Sequence, residues 1–387
     1  MYPRLSDLFN GIFGTDIVLP LQTYGFFVAL GFVFGGAVLY LELKRKEKEK
    51  IIFPVSRTRI KGKPAGAKEL IINAIIGFIA GYKLVGAVMT YSAFTANPQK
   101  YLISSDGSWW GGILISALVT FYTFYEKQRK RTDKPKQVTE LVYPRQMTGN
   151  IILVAAFFGI AGSKLFDVVE HLDQLIKDPL DTLLSFSGLA FYGGLITAAF
   201  AVSIYVERHK IPWHVNADAI APALILAYGI GRIGCQLSGD GCWGMVNIEP
   251  KPAWLTFLPD WAWAFNYPHN VINHGPLIPG CIGRNCHVLD QPVFPTPLYE
   301  TLMAFVIFGM LWLVRKKIKI HGYLFCIYLI LNGTERILIE QLRVNIRYDF
   351  LGMQVTQASM IAAGLIITGI TGFFYFKWYN RKKITSL

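Results

Sequence analysis

Apolar runs of bilayer-crossing length recur through the whole chain, at about 22–42, 70–90, 110–125, 149–166, 189–206, 215–235, 298–315, 321–342 and 357–377. A helix needs about 20 mostly apolar residues to cross the hydrocarbon core. Within that core every backbone polar group must be satisfied by the helix itself or by a closed barrel. Nine such runs restrict the chain to an all-α, polytopic integral membrane protein of about nine spans, read as one membrane-embedded domain over residues 1–387. Hydrophobic residues make up 53% and charged residues 16%, against roughly a quarter charged in soluble chains. Intrinsic disorder, a disulfide-rich miniprotein and a collagen-like fibre are thereby excluded.

Lys and Arg outnumber Asp and Glu by 38 to 25, and their placement decides what the excess means. They cluster after the first run (Lys44, Arg45, Lys46, Lys48, Lys50), after the third (Lys127, Arg129, Lys130, Arg131) and after the fifth (Arg208, Lys210). They cluster again after the seventh (Arg315, Lys316, Lys317, Lys319) and near the end (Arg381, Lys382, Lys383), so every second connection is basic. The long 236–297 stretch holds only Lys251 and Arg284. Basic connections face the cytoplasm, which predicts an N-terminus outside, a cytoplasmic C-terminus and 236–297 as an extracytoplasmic head. Short juxtamembrane clusters give no footprint for nucleic acid. The first run is preceded by Pro3, Asp7 and Asp16 rather than a basic segment, so it is expected to be a retained span and not a cleaved signal.

An internal repeat relates 70–130 to 149–210. Ile79-Ala80-Gly81-Tyr82-Lys83-Leu84 is echoed by Ile160-Ala161-Gly162-Ser163-Lys164-Leu165, Asn97-Pro98 by Asp178-Pro179, and Trp110-Gly111-Gly112-Ile113 by Tyr192-Gly193-Gly194-Leu195. Each unit is two spans and an outer connection, so the copies run in the same sense. The connection 167–186 carries Val168, Val169, Leu172, Leu175 and Ile176 at helical spacing, the pattern of an amphipathic interfacial helix.

Ionisable groups at membrane depth are costly and mark function by default. Arg232 lies at the outer end of the sixth run. Arg336, Glu340 and Arg343, spaced i, i+4 and i+7, share one face at the outer end of the eighth. Tyr24-Gly25 opens the first run, Tyr192-Gly193-Gly194 the fifth and Pro297-Leu298-Tyr299-Glu300 the seventh. The glycines serve either a close approach of backbone to ligand or helix packing through small residues. Asp218, at the start of the sixth run, is expected to cap it. Arginine offers a rigid, permanently charged fork matched to phosphate. Two of them at headgroup depth point to a held phospholipid head.

These residues resemble the prolipoprotein diacylglyceryl transferases. Gly231-Arg232-Ile233-Gly234 followed by Gly239-Asp240 and Trp243-Gly244 is similar to that family's Gly-Arg-x-Gly-Asn, Asn-Gly-Glu and Trp-Gly signature. Phe191-Tyr192-Gly193-Gly194-Leu195-Ile196 resembles its His-Gly-Gly-Leu-Ile stretch. Tyr24-Gly25, Pro297-Leu298-Tyr299-Glu300 and Arg336-x-x-x-Glu340-x-x-Arg343 also match, in the family's order. The family has seven spans, the number left when the unit at about 70–130 is removed. The chain departs from the pattern at Tyr192 (His in the family), Cys235 and Ser238 (Asn), Asp240 (Glu, with one residue inserted after it) and Gly162-Ser163-Lys164 (Gly-Gly-Arg).

The resemblance implies an enzyme of the bacterial plasma (inner) membrane with its site near the outer leaflet. It implies transfer of the diacylglyceryl group of phosphatidylglycerol to the lipobox cysteine of a prolipoprotein signal peptide, with release of glycerol phosphate. Membrane lipids and that precursor are then the partners. On this reading Arg232 and Arg336 bind phosphate, Glu340 orients Arg336, and Arg343 helps at the rim. Tyr192 or Asp240 takes or relays the thiol proton, and Tyr24 orients the substrate. Gly193, Gly194, Tyr299 and Glu300 complete the substrate-binding set. An unperturbed thiol has a pKa of about 8.5 and a tyrosine about 10, so Tyr192 as base needs the neighbouring arginines. The chemistry requires no metal and no cofactor. In the head region a Cys281–Cys286 disulfide is expected in preference to free thiols or a zinc site with His287 and Cys242, whose spacing suits zinc poorly. Cys235 and Cys326 are expected as small apolar fillers. Trp254, Phe257, Trp261, Trp263 and Tyr267 form either an interfacial surface or an aromatic mini-core. The competing class is a non-catalytic lipid-binding or transporter-like protein on the same fold, motivated by Tyr192, Cys235 and Ser238. The predicted orientation has a direct check: an impermeant thiol reagent is expected to label Asp240→Cys from outside and Arg129→Cys only from inside.

Overall fold

The computed structural model describes residues 1–19, 21–96, 98–131, 136–184, 190–350 and 353–385. It is mostly helical. In chain order the helices are α1 (Leu5–Phe13), α2 (Thr23–Lys48), α3 (Ala67–Met89), α4 (Tyr91–Ala96), α5 (Pro98–Ile103), α6 (Trp109–Arg129) and α7 (Thr148–Glu170). There follow α8 (Leu172–Lys177), α9 (Pro179–Leu184), α10 (Phe191–Arg208), α11 (Trp213–Ser238), α12 (Thr296–Val314), α13 (Tyr323–Glu340) and α14 (Gln357–Thr385). Each of the nine apolar runs is helical over most of its described residues. Among the described residues, six are long and apolar enough to cross a membrane: α2, α3, α7, α11, α12 and α14. The other three, α6, α10 and α13, carry more polar matter; α13 alone holds Glu335, Arg336 and Glu340. The all-helical expectation also misses two antiparallel ribbons, β1 (Val55–Lys61) with β2 (Lys136–Val142) and β3 (Arg347–Phe350) with β4 (Met353–Thr356). They continue connections whose backbone groups have no helix to satisfy them.

The chain forms two compact units. One comprises Met1–Phe53, Pro144–Leu153 and Val202–Leu387; the other comprises Pro54–Tyr143 and Val154–Ala201.

In the first unit α2 lies close against α11 because small residues face each other. A Cβ on Gly31 would sit 3.0 Å from the Ala227 carbonyl oxygen, and one on Gly35 3.2 Å from that of Ala223. Ile225, Ala304, Ile307, Leu311 and Leu324 form a buried core between α11, α12 and α13. Cys326 is the buried filler expected of it, packed where Gly372 leaves room. Asp218 corrects the sequence reading. It is buried one turn inside α11, and its carboxylate accepts from the backbone N–H groups of Gly322 (2.7 Å) and Phe325 (2.9 Å). It therefore caps α13 and not its own helix. Those N–H groups have no intrahelical acceptor, and Gly322 at the N-cap position has no side chain to supply one.

The 236–297 stretch folds around Tyr267, Leu289 and Val293, with Trp243 and Phe265 packed on them. Burial pushes the Tyr267 hydroxyl up from its ordinary pKa, and it donates to Gln236 Oε1 at 2.8 Å. Cys281 and Cys286 are disulfide-bonded. The aromatics divide between the two readings: Tyr267 is fully buried and Trp263 packs on Phe294, while Trp254 and Phe257 stand about three-quarters exposed.

In the second unit α3 and α6 meet through glycines. A Cβ on Gly111 would come within 2.8 Å of the Gly81 carbonyl, and one on Gly112 within 2.7 Å of Phe78. Residues 154–170 and 191–201 pack through Gly162 and Gly194 in the same manner, each facing a backbone carbonyl, that of Gly193 at 2.8 Å and that of Gly159 at 2.6 Å. Lys83 gathers the carbonyls of Tyr101, Ser104 and Asp106, while Lys164 pairs with Asp167 at 3.0 Å. The expected helix over 167–186 is broken into the end of α7, α8 and α9. Asn97, and residues 185 and 186, lie outside the described residues.

Gly31→Val is expected to destabilise the first unit by about 1–3 kcal/mol, the usual cost of overpacking, seen as a lower Tm in detergent. Gly309→Ala, in open space on α12, is expected to hold or raise the Tm, since alanine favours helix by about 1 kcal/mol.

Candidate functional site

Glu300 sits in the second turn of α12 and is fully buried. A lone carboxylate there would be untenable, and it is not alone. Arg232 Nε from α11 lies 2.8 Å from Glu300 Oε2. Arg336 Nη1 from α13 lies 3.2 Å from Oε1, and Arg343 Nη1, just beyond α13, lies 3.5 Å from the same oxygen. Arg336 Nη2 also pairs with Glu340 Oε2 at 2.8 Å, one helical turn on, and Glu340 Oε1 accepts from Asn345 Nδ2 at 2.6 Å. Three guanidinium groups from three chain segments thus meet on two buried carboxylates. Each guanidinium carries five N–H donors, so donors far exceed the carboxylate oxygens that can accept them. Arg343 Nη1 is buried with no hydrogen-bond acceptor among the described residues. Such a cluster is poised to receive an anion with several oxygens.

The local sequence explains how the cluster is held. Arg232 is steadied by the Tyr228 ring one turn earlier on α11, its guanidinium 5.0 Å from the ring centroid. Gly244 pairs with Arg343 in an isolated antiparallel bridge, and Met245 N–H donates to the Leu342 carbonyl at 2.7 Å. A Cβ at Gly244 would lie 2.6 Å from that Leu342 oxygen, so only glycine lets the head region clamp the segment bearing Arg343. Thr296, fully buried at the start of α12, donates to the Cys242 carbonyl at 2.7 Å and ties the same turn to the helix that bears Glu300.

The remaining expected residues divide. Tyr24 lies in the first turn of α2, beside Gly234, whose Cβ would be 3.2 Å from the Tyr24 Cα. Asp240 lies in the turn after α11, with Oδ1 accepting from Cys242 N–H at 3.1 Å. Tyr299 serves the architecture instead, its hydroxyl donating to the Ala262 carbonyl at 2.9 Å in the head region. Tyr192, Gly193 and Gly194 belong to the second unit. There they open α10, with both glycines packed against α7, at Phe166 and Ser163.

Sequence reasoning underrated Glu300, placing it among substrate contacts where the structure makes it the hub of the arginines. It missed Glu335, which is buried, faces Tyr228 and lies within electrostatic reach of Glu300, Arg232 and Arg336. The signal for Glu335 was a charge within an apolar run, masked by its place off the Arg336–Glu340–Arg343 face. Cys235 is buried, as expected of a filler, and its thiol also lies within 4.8 Å of the ligand atoms of Asp240 and Cys242, with Arg232 Nη1 3.8 Å away. The neighbouring Cys235 thiol holds Cys242 below the ordinary thiol pKa, and the cations of Arg232 and Arg343 act in the same direction.

Glu300→Gln removes the charge on which three arginines converge and leaves them facing one another. Breaking a buried ion pair costs about 3–5 kcal/mol, so unfolding in detergent is expected to shift down by that order. Mutating an exposed pair such as Lys130 with Glu126 should leave the transition in place.

The family model for prolipoprotein diacylglyceryl transferase matches residues 108–375 of the chain. The phosphatidylglycerol–prolipoprotein diacylglyceryl transferase of Leptospira interrogans is 28% identical over 236 residues, 54% of this chain and 66% of the relative. The chain thus spans just under two thirds of that relative's length. The protein of the same name from Symbiobacterium thermophilum is 28% identical over 282 residues, 72% of this chain and 90% of the relative. That from Clostridium tetani is 30% identical over 224 residues, 57% and 77%. The matched stretch carries every arginine and carboxylate of the cluster, and the chain belongs to the prolipoprotein diacylglyceryl transferase family.

Proposed function

We propose that this chain transfers the diacylglyceryl group of phosphatidylglycerol to the lipobox cysteine thiol of a prolipoprotein signal peptide. The observation that carries the reading is the convergence of Arg232, Arg336 and Arg343 on buried Glu300. The reaction forms a carbon–sulfur bond at the glycerol carbon bearing the phosphate ester. The carbon–oxygen bond breaks, and its electron pair leaves with glycerol phosphate. Negative charge accumulates on the departing phosphate, where fixed guanidinium donors are most effective. Arg232 and Arg336 bind that phosphate and Arg343 assists at the rim. Glu300 and Glu340 position the arginines, Tyr24 orients the lipid, and Tyr192 or Asp240 takes or relays the thiol proton.

The same reading makes the chain a nine-span protein of the bacterial inner membrane, N-terminus outside, with the site near the outer leaflet. The alternation of basic connections supports this, as does the apolar character of α2, α3, α7, α11, α12 and α14. The units 70–130 and 149–210 are parallel copies, supported by the equivalent glycine packing at Gly81 and Gly162. The first copy is an addition to the seven-span family plan.

Purified protein incubated with phosphatidylglycerol and a lipobox peptide is expected to yield the thioether product by mass spectrometry. Arg232→Lys and Arg336→Lys keep a charge opposite Glu300 but lose the planar fork. Each is expected to lower kcat about 100-fold or more, the scale of losing one electrostatic stabiliser. Cys281→Ser is expected to remain active. Lipid binding without any thioether, under conditions where a seven-span relative works, would favour a non-catalytic lipid-binding protein.

A further inference from the structure

Cys235 ends the last turn but one of α11, and the chain then folds back on it. Gly239 (φ 65°) and Gly241 (φ 88°) both adopt left-handed backbone that side chains resist, and they flank Asp240. The result places Cys235 Sγ, a carboxylate oxygen of Asp240 and Cys242 Sγ all within 4.8 Å of one another. Two sulfurs and one oxygen on a tetrahedral zinc ion stand about 3.5–3.8 Å apart, given bonds of about 2.3 Å to sulfur and about 2.0–2.2 Å to oxygen. The three ligand atoms, all within 4.8 Å of one another, therefore lie near the span of such a site. Asp240 Oδ1 is already held by the Cys242 N–H, the kind of outer hydrogen bond that orients a ligating carboxylate.

The surroundings fit a cation of this class. Two thiolates and a carboxylate carry three negative charges, a dication leaves one, and the Arg232 guanidinium 3.8 Å from Cys235 Sγ faces it. Sulfur with carboxylate selects a borderline ion such as zinc over magnesium or calcium. The two thiols are also reduced neighbours in the same folded segment that carries the Cys281–Cys286 disulfide. A bound ion would keep such a pair from oxidising. Both cysteines stand where the chain departs from its family: Cys235 replaces a signature asparagine, and Cys242 follows the one-residue insertion.

We propose that Cys235, Asp240 and Cys242 hold a divalent cation of the zinc class whose fourth position takes the thiol of the acceptor peptide. Three protein ligands with an open fourth position are the pattern of a reactive and not a structural zinc site. The inference rests on the transferase reading for the identity of that thiol. A coordinated thiol is deprotonated outright, which answers the scarcity of thiolate at neutral pH. A metal-bound hydroxide leaves as water, carrying the thiol proton, while sulfur takes its place on the metal. Sulfur then attacks the glycerol carbon as the phosphate departs toward Arg232 and Arg336. Asp240 thereby acts through the metal instead of as a free base.

Detergent-purified protein, stripped with chelator under a phosphine reductant and titrated with Co2+, is expected to develop cobalt–thiolate charge-transfer absorption at a single ion per chain. Cys235→Ser and Cys242→Ser should each abolish it, and Asp240→Asn should weaken cobalt affinity at least about 10-fold. The Cys281→Ser/Cys286→Ser double variant should retain it. A lipobox peptide should shift the cobalt bands, and its serine analogue should not. Absence of the band in wild type, or its survival in both Cys235→Ser and Cys242→Ser, overturns the inference. Full thioether formation by chelator-stripped protein overturns it too while leaving the transferase reading intact. Cobalt bands that respond to the peptide thiol, with no thioether from any phospholipid, uphold the site and sink the transferase reading.

Discussion

Positive charge cannot be concentrated in a low-dielectric environment without a counter-charge at its centre. Three guanidinium groups drawn together would repel one another and lose their hydration, and each would be driven outward toward water. Glu300, buried in the second turn of α12, reverses that balance. Its two oxygens hold Arg232, Arg336 and Arg343 at one height, and Glu340 and Asn345 secure the second of these from its own side. Much else in the first unit serves this arrangement. The glycine face between α2 and α11 brings Tyr24 beside the Arg232 turn, and Gly244 lets the head region clamp the chain at Arg343.

How far this was legible in advance depends on the kind of signal each residue leaves. Helices α2 to α14 of spanning length announce themselves through hydropathy, because burying apolar side chains in lipid constrains composition over twenty residues at a time. Arg232, Arg336 and Arg343 were visible because charge within or at the end of an apolar run is rare. The roles of carboxylates were harder. Glu300 reads on paper as one more polar residue at the mouth of a helix, and only the partners brought to it from α11 and α13 make it a hub. Asp218 looked like a cap because it stands near a helix start; it is a cap, but for a helix that begins more than a hundred residues later. The pairing of Cys235 with Cys242 was invisible for a related reason. It depends on two positive-φ glycines reversing the chain, and no hydrophobic period records a reversal.

Glycines in the motif stretches show a different ambiguity. Gly193 and Gly194 match a family signature, yet in the second unit their bare α-carbons are filled by contact with α7, as those of Gly111 and Gly112 are by α3. A motif glycine can therefore be retained for helix packing even where ligand chemistry is the first thought. The same economy of form appears in Tyr299, whose hydroxyl secures the Asp260–Ala262 turn and so keeps the head region over the helix that bears Glu300.

The bond between Asp218 and the start of α13 has a further consequence for geometry. Asp218 and Arg232 stand fourteen residues apart on α11, and Gly322 and Arg336 are separated by the same fourteen on the parallel α13. At 1.5 Å per residue each interval is about 21 Å. The two helices behave as matched struts, pinned together at the foot and delivering their guanidinium tips to a common level. Lengthening either strut by one residue would swing its tip by about 100° around the axis, so the level at which the two guanidinium groups meet depends on the length of both intervals.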